Sequence, residues 1–207
     1  MDDFILYLRL AFNHVLDWQA YDHILFFMAL AVIYSFSDWK KALWLITFFT
    51  LGHTTTLGLA TYNVVSVDVK IIEFLIPLTI FITAFVNLVT ANKKAFHTSN
   101  VNLFFAFFFG LIHGLGLSGF LKMTLDGTEA KILPLLEFAL GVELAQIMIV
   151  VIILIAGFIA QNMLRIKKRD WVLILSSVVI GINFGKTLTA VQQFFVELCR
   201  IKIIPLF

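Results

Sequence analysis

The chain contains 207 residues, of which 61% are hydrophobic and 14% charged, and its formal net charge is +2. Soluble domains average about 45–50% apolar and about 25% charged residues, so this composition excludes an ordinary soluble protein. The basic residues lie in short loops between apolar blocks, which gives nucleic-acid binding no support. The single Cys199 excludes an intrachain disulfide framework and a metal site built from several thiolates.

Long apolar blocks separated by short charged loops predict an all-α fold, a polytopic membrane helical bundle that forms a single integral membrane domain over residues 1–207. Residues 3–18 predict a short N-terminal helix that lies at the membrane interface or dips partly into it, because Arg9, His14 and Asp17 are too polar for an ordinary span. About six transmembrane helices follow. They are predicted at about 22–36, 42–62, 71–91, 101–121, 132–160 and 171–195.

Basic residues distinguish the two ends of the predicted bundle. They concentrate in the loops after odd-numbered spans, and the positive-inside rule places those loops in the cytoplasm. The residues concerned are Lys40, Lys41, Lys93, Lys94, Arg165, Lys167, Lys168 and Arg169. The sequence therefore predicts a protein of the bacterial inner (cell) membrane with both termini extracytoplasmic.

Ionisable residues inside the spans are costly in hydrocarbon and mark functional sites. His53 and His113 lie about nine and about eight residues from the predicted outer ends of their spans, at ~1.5 Å of rise per residue. Glu143 lies about eleven residues from the outer start of the fifth span, and Lys186 about nine from the outer end of the sixth. Side chains from separate helices are therefore predicted to meet in one layer of the outer leaflet.

Imidazole and carboxylate ligands at this depth suit a divalent transition metal such as Ni²⁺, Zn²⁺ or Co²⁺, and the lack of thiols argues against Cu(I). The predicted ligands are His23, His53 and His113, with Asp22 or Glu143 completing the set. His14 reaches the mouth of the site if the N-terminal helix folds inward.

Further polar residues are candidates to orient these ligands. Gln146 follows Glu143 by one helical turn, so it can hold that carboxylate in place. Glu73, Asn87 and Lys186 are candidates for similar supporting roles.

Structural alternatives exist for the same residues. A membrane histidine can simply hydrogen-bond a neighbouring helix. Asp22 can cap the first span, and Glu143 and Lys186 can neutralise each other as a buried ion pair. Glu73, near a helix start, can interact with the helix dipole and have no functional role.

The motifs that carry these residues resemble the HupE/UreJ family of small membrane proteins, specifically its second subgroup. They cover about residues 12–146 and comprise His14 with YDHILF at 21–26, FTLGHTTTL at 49–57, Glu73 with Asn87, FGLIHGLG at 109–116 and FALGVELAQ at 138–146. The resemblance implies a multi-spanning protein linked to nickel or cobalt supply for hydrogenase and urease.

Two mechanisms and one passive role are compatible with a metal site of this kind. The first is a divalent transition-metal permease. The second is an intramembrane metal-dependent hydrolase, in which Glu143 or Asp22 is the general base and the substrate is a lipid or a membrane-embedded peptide. The third is a metal-stabilised structural or sensor subunit. The expected partners are the metal ion and membrane lipid, and a homo-oligomer is compatible with each role.

Overall fold

The computed structural model describes residues 2–17, 21–92, 101–125 and 131–203. These residues form helices and no strands, which confirms the predicted all-α membrane bundle. The helices are α1 (Asp2–Val15), α2 (Asp22–Ala31), α3 (Trp39–Thr61), α4 (Val69–Thr90), α5 (Val101–Thr124), α6 (Ile132–Asn162) and α7 (Lys168–Ile203).

Within the described ranges, five helices are long and apolar enough to cross a membrane, and they are α3 to α7. The protein is therefore an integral membrane protein. Of the loop residues used to predict its orientation, Lys93 and Lys94 lie outside the described residues. The other basic residues flank the start of α3 and the α6–α7 connection, where Phe36 and Phe158 pack with ring centroids 5.8 Å apart. We call this end of the bundle the basic end.

The first predicted span, at 22–36, differs from the other five. Its helix, α2, has ten residues and rises about 15 Å, about half of a ~30 Å hydrocarbon core. A capping box of Ser35 and Asp38 starts a 3₁₀ turn at Phe36–Asp38, which leads directly into α3. The helix therefore ends at Ala31, although hydropathy alone predicts that it continues to residue 36.

The short N-terminal helix α1 packs by one face along α6. Ala11 and Val15 on this face are fully buried, whereas Ile5 on the other face is 59% exposed. Gly141 of α6 allows the close approach, since a Cβ built there would lie 2.6 Å from the Cβ of Ala11. This packing carries His14, one turn after Ala11, into the bundle.

The tightest helix pair is formed by α3 and α5, which run parallel to each other. A Cβ added to Gly110 would overlap the carbonyl oxygen of Phe49, and one added to Gly114 would overlap that of His53. Gly52 of α3 meets the backbone of α5 in the same way. Small residues spaced four apart let membrane helices approach until their backbones touch. Their register fixes which side chains of α3 and α5 share a level.

Polar side chains join the remaining helices. Thr56 of α3 donates to the Leu111 carbonyl of α5 at 2.8 Å, and Thr50 of α3 donates to Gln146 of α6 at 2.9 Å. Asn183 of α7 donates to the carbonyl of Pro77 in α4 at 2.8 Å. Such bonds satisfy polar groups that have no access to water in a bilayer, so they fix the rotation of each helix.

Replacement of Gly110 by alanine tests this packing. Gly110→Ala is expected to destabilise the protein by about 1–3 kcal/mol, because the added methyl group forces α3 and α5 apart. Gly119→Ala on the same helix is the matched control, since a Cβ there meets nothing within 4 Å. Thermal unfolding in detergent, followed by circular dichroism, should give a lower Tm for Gly110→Ala alone. Equal Tm values for the two variants would contradict the close contact.

Candidate metal centre

Three histidines from three helices meet inside the bundle. His14 of α1, His23 of α2 and His53 of α3 each place one ring nitrogen within 4.8 Å of the others. His53 is fully buried and His23 is 7% exposed. The rings of His14 and His23 are 4.7 Å apart, centroid to centroid. We call His14, His23 and His53 the histidine cluster.

His113 of α5 adds a fourth imidazole beside this cluster. Its ring centroid lies 5.6 Å from that of His23, and the side chain is 3% exposed. The Nε2 atom of His113 lies 3.4 Å from the hydroxyl of Thr79 on α4. Because α3 and α5 are held in register by glycines, His53 and His113 lie on neighbouring helices at a similar depth.

The cluster leaves several buried nitrogen atoms without partners. These are Nε2 of His14 and both ring nitrogens of His23 and of His53. A buried polar group without a hydrogen bond costs about 1–3 kcal/mol, so proteins rarely keep such groups together without a use for them. Neutral imidazole is the commonest protein ligand for transition metals. The arrangement therefore has the donor atoms that a divalent cation needs.

The two carboxylates predicted to complete the ligand set make other contacts. Both oxygens of Asp22 accept hydrogen bonds from the Lys186 ammonium group, at 2.9 and 3.0 Å. Glu143 accepts a hydrogen bond from Thr47 of α3 at 2.7 Å. Lys186 is thus paired with Asp22, and the alternative of a Glu143–Lys186 pair is not formed. A role of Asp22 or Glu143 in holding a metal stays a prediction.

The residues predicted to support the site lie in different parts of the bundle, and their supporting role stays a prediction. Gln146 is fully buried and accepts its hydrogen bond from Thr50. Asn87 donates to the Ala29 carbonyl of α2 at 2.7 Å and lines a cavity of about 130 Å³. Glu73 is exposed and lines a groove that also contains Lys186. Gln146 and Asn87 therefore tie helices together, whereas Glu73 and Lys186 share a polar surface.

A layer of aromatic rings packs next to the histidines on the side of the basic end. Phe26 lies 4.9 Å and Phe49 lies 5.3 Å from the ring of His113, and the two phenylalanine rings are 5.0 Å apart. Phe109 packs against Phe26 at 5.9 Å. We call Phe26, Phe49 and Phe109 the phenylalanine layer. The cavity lined by Asn87 lies beyond it, since its lining residues on α2 follow Phe26 and Leu45 on α3 precedes Phe49.

Sequence reasoning did not identify Thr79 or the phenylalanine layer. Thr79 is one of several threonines in apolar spans, and only the packing of α4 against α5 brings its hydroxyl to His113. The three phenylalanines belong to Phe-rich stretches that are typical of lipid-facing surfaces. The composition of these stretches does not reveal that Phe26 and Phe49 point into the bundle.

Comparison with known proteins identifies a matching family. The family model described as "HupE / UreJ protein" matches residues 1–190, a range that contains the histidine cluster, His113 and Lys186. No curated protein and no solved structure matches the chain.

The position of His14 can be tested through Gly141. Gly141→Ala is expected to push α1 away from α6 and to weaken Co²⁺ binding about 10-fold, because His14 moves with α1. Co²⁺ titration followed by its visible absorption measures the affinity. Gly181→Ala on α7 is the control, since a Cβ there meets nothing within 4 Å. Unchanged affinity in Gly141→Ala would mean that the approach of α1 does not matter for the cluster.

Proposed function

Because this chain belongs to the HupE/UreJ family, we propose that it is a permease for a divalent transition metal of the nickel or cobalt type. One observation carries the proposal: the buried His23 and His53 and the half-buried His14, from three separate helices, bring ring nitrogens that lack hydrogen-bond partners within 4.8 Å of each other. The family's link to nickel and cobalt supply agrees with this choice of cargo.

The imidazole ligands of the histidine cluster suit a metal cation of intermediate hardness. Imidazole suits Ni²⁺, Co²⁺ and Zn²⁺, whereas Mg²⁺ and Ca²⁺ prefer shells of oxygen atoms. His14, His23 and His53 would hold the ion, with His113 as the adjoining donor. These side chains come from α1, α2, α3 and α5, so a bound ion would connect four helices.

The surroundings of the cluster support access from one side. A polar groove of about 560 Å³ is lined by Asp22, Glu73 and Lys186 at the end opposite the basic end, and Asp22 directly precedes His23. On the other side, the phenylalanine layer lies between the histidines and the cavity lined by Asn87. Hydrophobic constrictions close pores by excluding water. We propose that the ion arrives through the groove from outside the cell and leaves past Phe26 and Phe49 toward the cytoplasm.

The hydrolase alternative needs a carboxylate that is free to act as general base beside the metal. Both carboxylate oxygens of Asp22 accept hydrogen bonds from Lys186, and Glu143 accepts a hydrogen bond from Thr47. No contact of the described residues favours hydrolysis over transport. The permease is therefore the proposal that we carry forward, and the passive structural or sensor role is separated from it by a flux measurement.

Metal binding is tested first, on purified protein. His23→Ala and His53→Ala are each expected to weaken Ni²⁺ binding at least about 100-fold, because each removes a ligand from the cluster. Isothermal titration with Ni²⁺ measures the Kd, and metal analysis by mass spectrometry measures the stoichiometry. Thr55→Ala is the matched control, because Thr55 is exposed on the same helix and bonds only the Leu51 carbonyl one turn earlier. Equal affinities in all four proteins would refute a metal role for the cluster.

Transport is tested in liposomes that contain a metal-quenched dye. The wild-type protein is expected to admit Ni²⁺ or Co²⁺. His53→Ala is expected to lose this uptake, because the substitution removes one imidazole of the histidine cluster. The initial rate of quenching is the measurement, and Thr55→Ala again serves as the control. Tight binding without flux would overturn the permease proposal and favour the structural or sensor role.

A further inference from the structure

The ion pair between α2 and α7 adjoins the proposed site through the start of α2, which carries both Asp22 and His23. Lys186 donates to both carboxylate oxygens of Asp22, the residue immediately before His23. Its ammonium group also lies 4.0 Å from the centre of the Tyr21 ring. The side chains of Lys186 and Asp22 are 34% and 24% exposed, so the pair is partly shielded from water.

The pair contributes to the charge at the α2 end that carries His23. The imidazoles are neutral ligands and bring no negative charge toward a divalent cation. Asp22 is the acidic residue nearest to them in sequence, and Lys186 cancels its charge. Glu73, which lines the same groove, is exposed and therefore better screened by water and salt. A cation in the groove thus meets little net attraction while the pair is intact.

A lysine in an apolar span is costly unless it has a partner or a role. Structural pairing alone would explain the contact with Asp22, but a neutral residue pair would join α2 and α7 without placing a charge in the span. A transport site has a requirement that a storage site lacks, because its ion must leave as well as bind. The positive charge of Lys186 meets this requirement, because it weakens the attraction of the site for a cation and so allows the ion to leave.

We propose that Lys186 is a positioning residue that sets the metal affinity of the histidine cluster, by occupying the Asp22 carboxylate as a tethered cation. The inference rests on the proposed function and specifies how its site is regulated. While Lys186 holds Asp22, the carboxylate adds no attraction for a divalent cation, and the ion remains exchangeable. Loss of the lysine charge leaves a net negative charge beside His23, so a divalent cation is held more tightly and released more slowly.

The test compares charge variants of the full chain in detergent, with Ni²⁺ as the probe. Lys186→Met is expected to lower the Kd about tenfold and to slow Ni²⁺ release into a chelator, measured by stopped flow. Asp22→Asn removes the negative partner of Lys186 and leaves its positive charge unpaired, so this variant is expected to raise the Kd about tenfold. The double variant should return toward the wild-type Kd, and Lys186→Arg should retain it, because the ion pair is preserved.

Two further measurements distinguish charge from packing. The difference in Kd between Lys186→Met and the wild type should shrink as the salt concentration rises from about 0.02 to about 0.5 M, because the groove is open to solvent. Lys41→Met is the matched control, since it removes the Lys41–Asp38 ion pair of 2.8 Å at the basic end, and it should leave the Kd unchanged.

The outcomes separate the inference from the proposed function. A wild-type protein that binds no Ni²⁺ would overturn the metal site itself. Ni²⁺ binding by the wild type, with the same Kd in Lys186→Met and Asp22→Asn, would overturn only the role of Lys186. If Lys186→Met does not fold, Asp22→Asn still decides, because an unchanged or lower Kd in that variant contradicts the inference.

Discussion

The close contact between α3 and α5 is the constraint on which the remaining structure depends. Gly52, Gly110 and Gly114 remove the side chains at the crossing, so the two backbones touch. His53 lies within this contact and His113 directly precedes one of its glycines. A shift of one residue would turn either ring by about 100° around its helix and point it elsewhere. Glycine spacing therefore sets the levels of His53 and His113, and α1 and α2 bring His14 and His23 to the same site.

The long spans were predictable because a bilayer leaves few alternatives for about 20 apolar residues in a row. Five of them are present as long helices among the described residues. The stretch at 22–36 was not predictable from hydropathy, since it is as apolar as a span yet contains a ten-residue helix. The local signal was the pair Ser35 and Asp38, which has the spacing of a capping box and starts a new helical segment.

His53 and His113 were predictable as neighbours because residue counting places them at a similar depth on their own helices. The contacts of the carboxylates were not, because they depend on how each helix is rotated. That rotation turns Glu143 toward Thr47 and Lys186 toward Asp22. His14 was expected at the mouth of the site and belongs to the histidine cluster itself. The cause is again a glycine, Gly141, which lets α1 lie against α6.

The phenylalanine layer also has an electrical consequence. Packed aromatic rings are apolar, so part of a transmembrane voltage would fall between His113 and the cavity beyond Phe109. Each elementary charge that crosses a membrane exchanges about 2.3 kcal/mol per 100 mV, and a divalent ion therefore about 4.6 kcal/mol. For the transport direction proposed above, a negative cell interior would draw a divalent ion past Phe26 and Phe49.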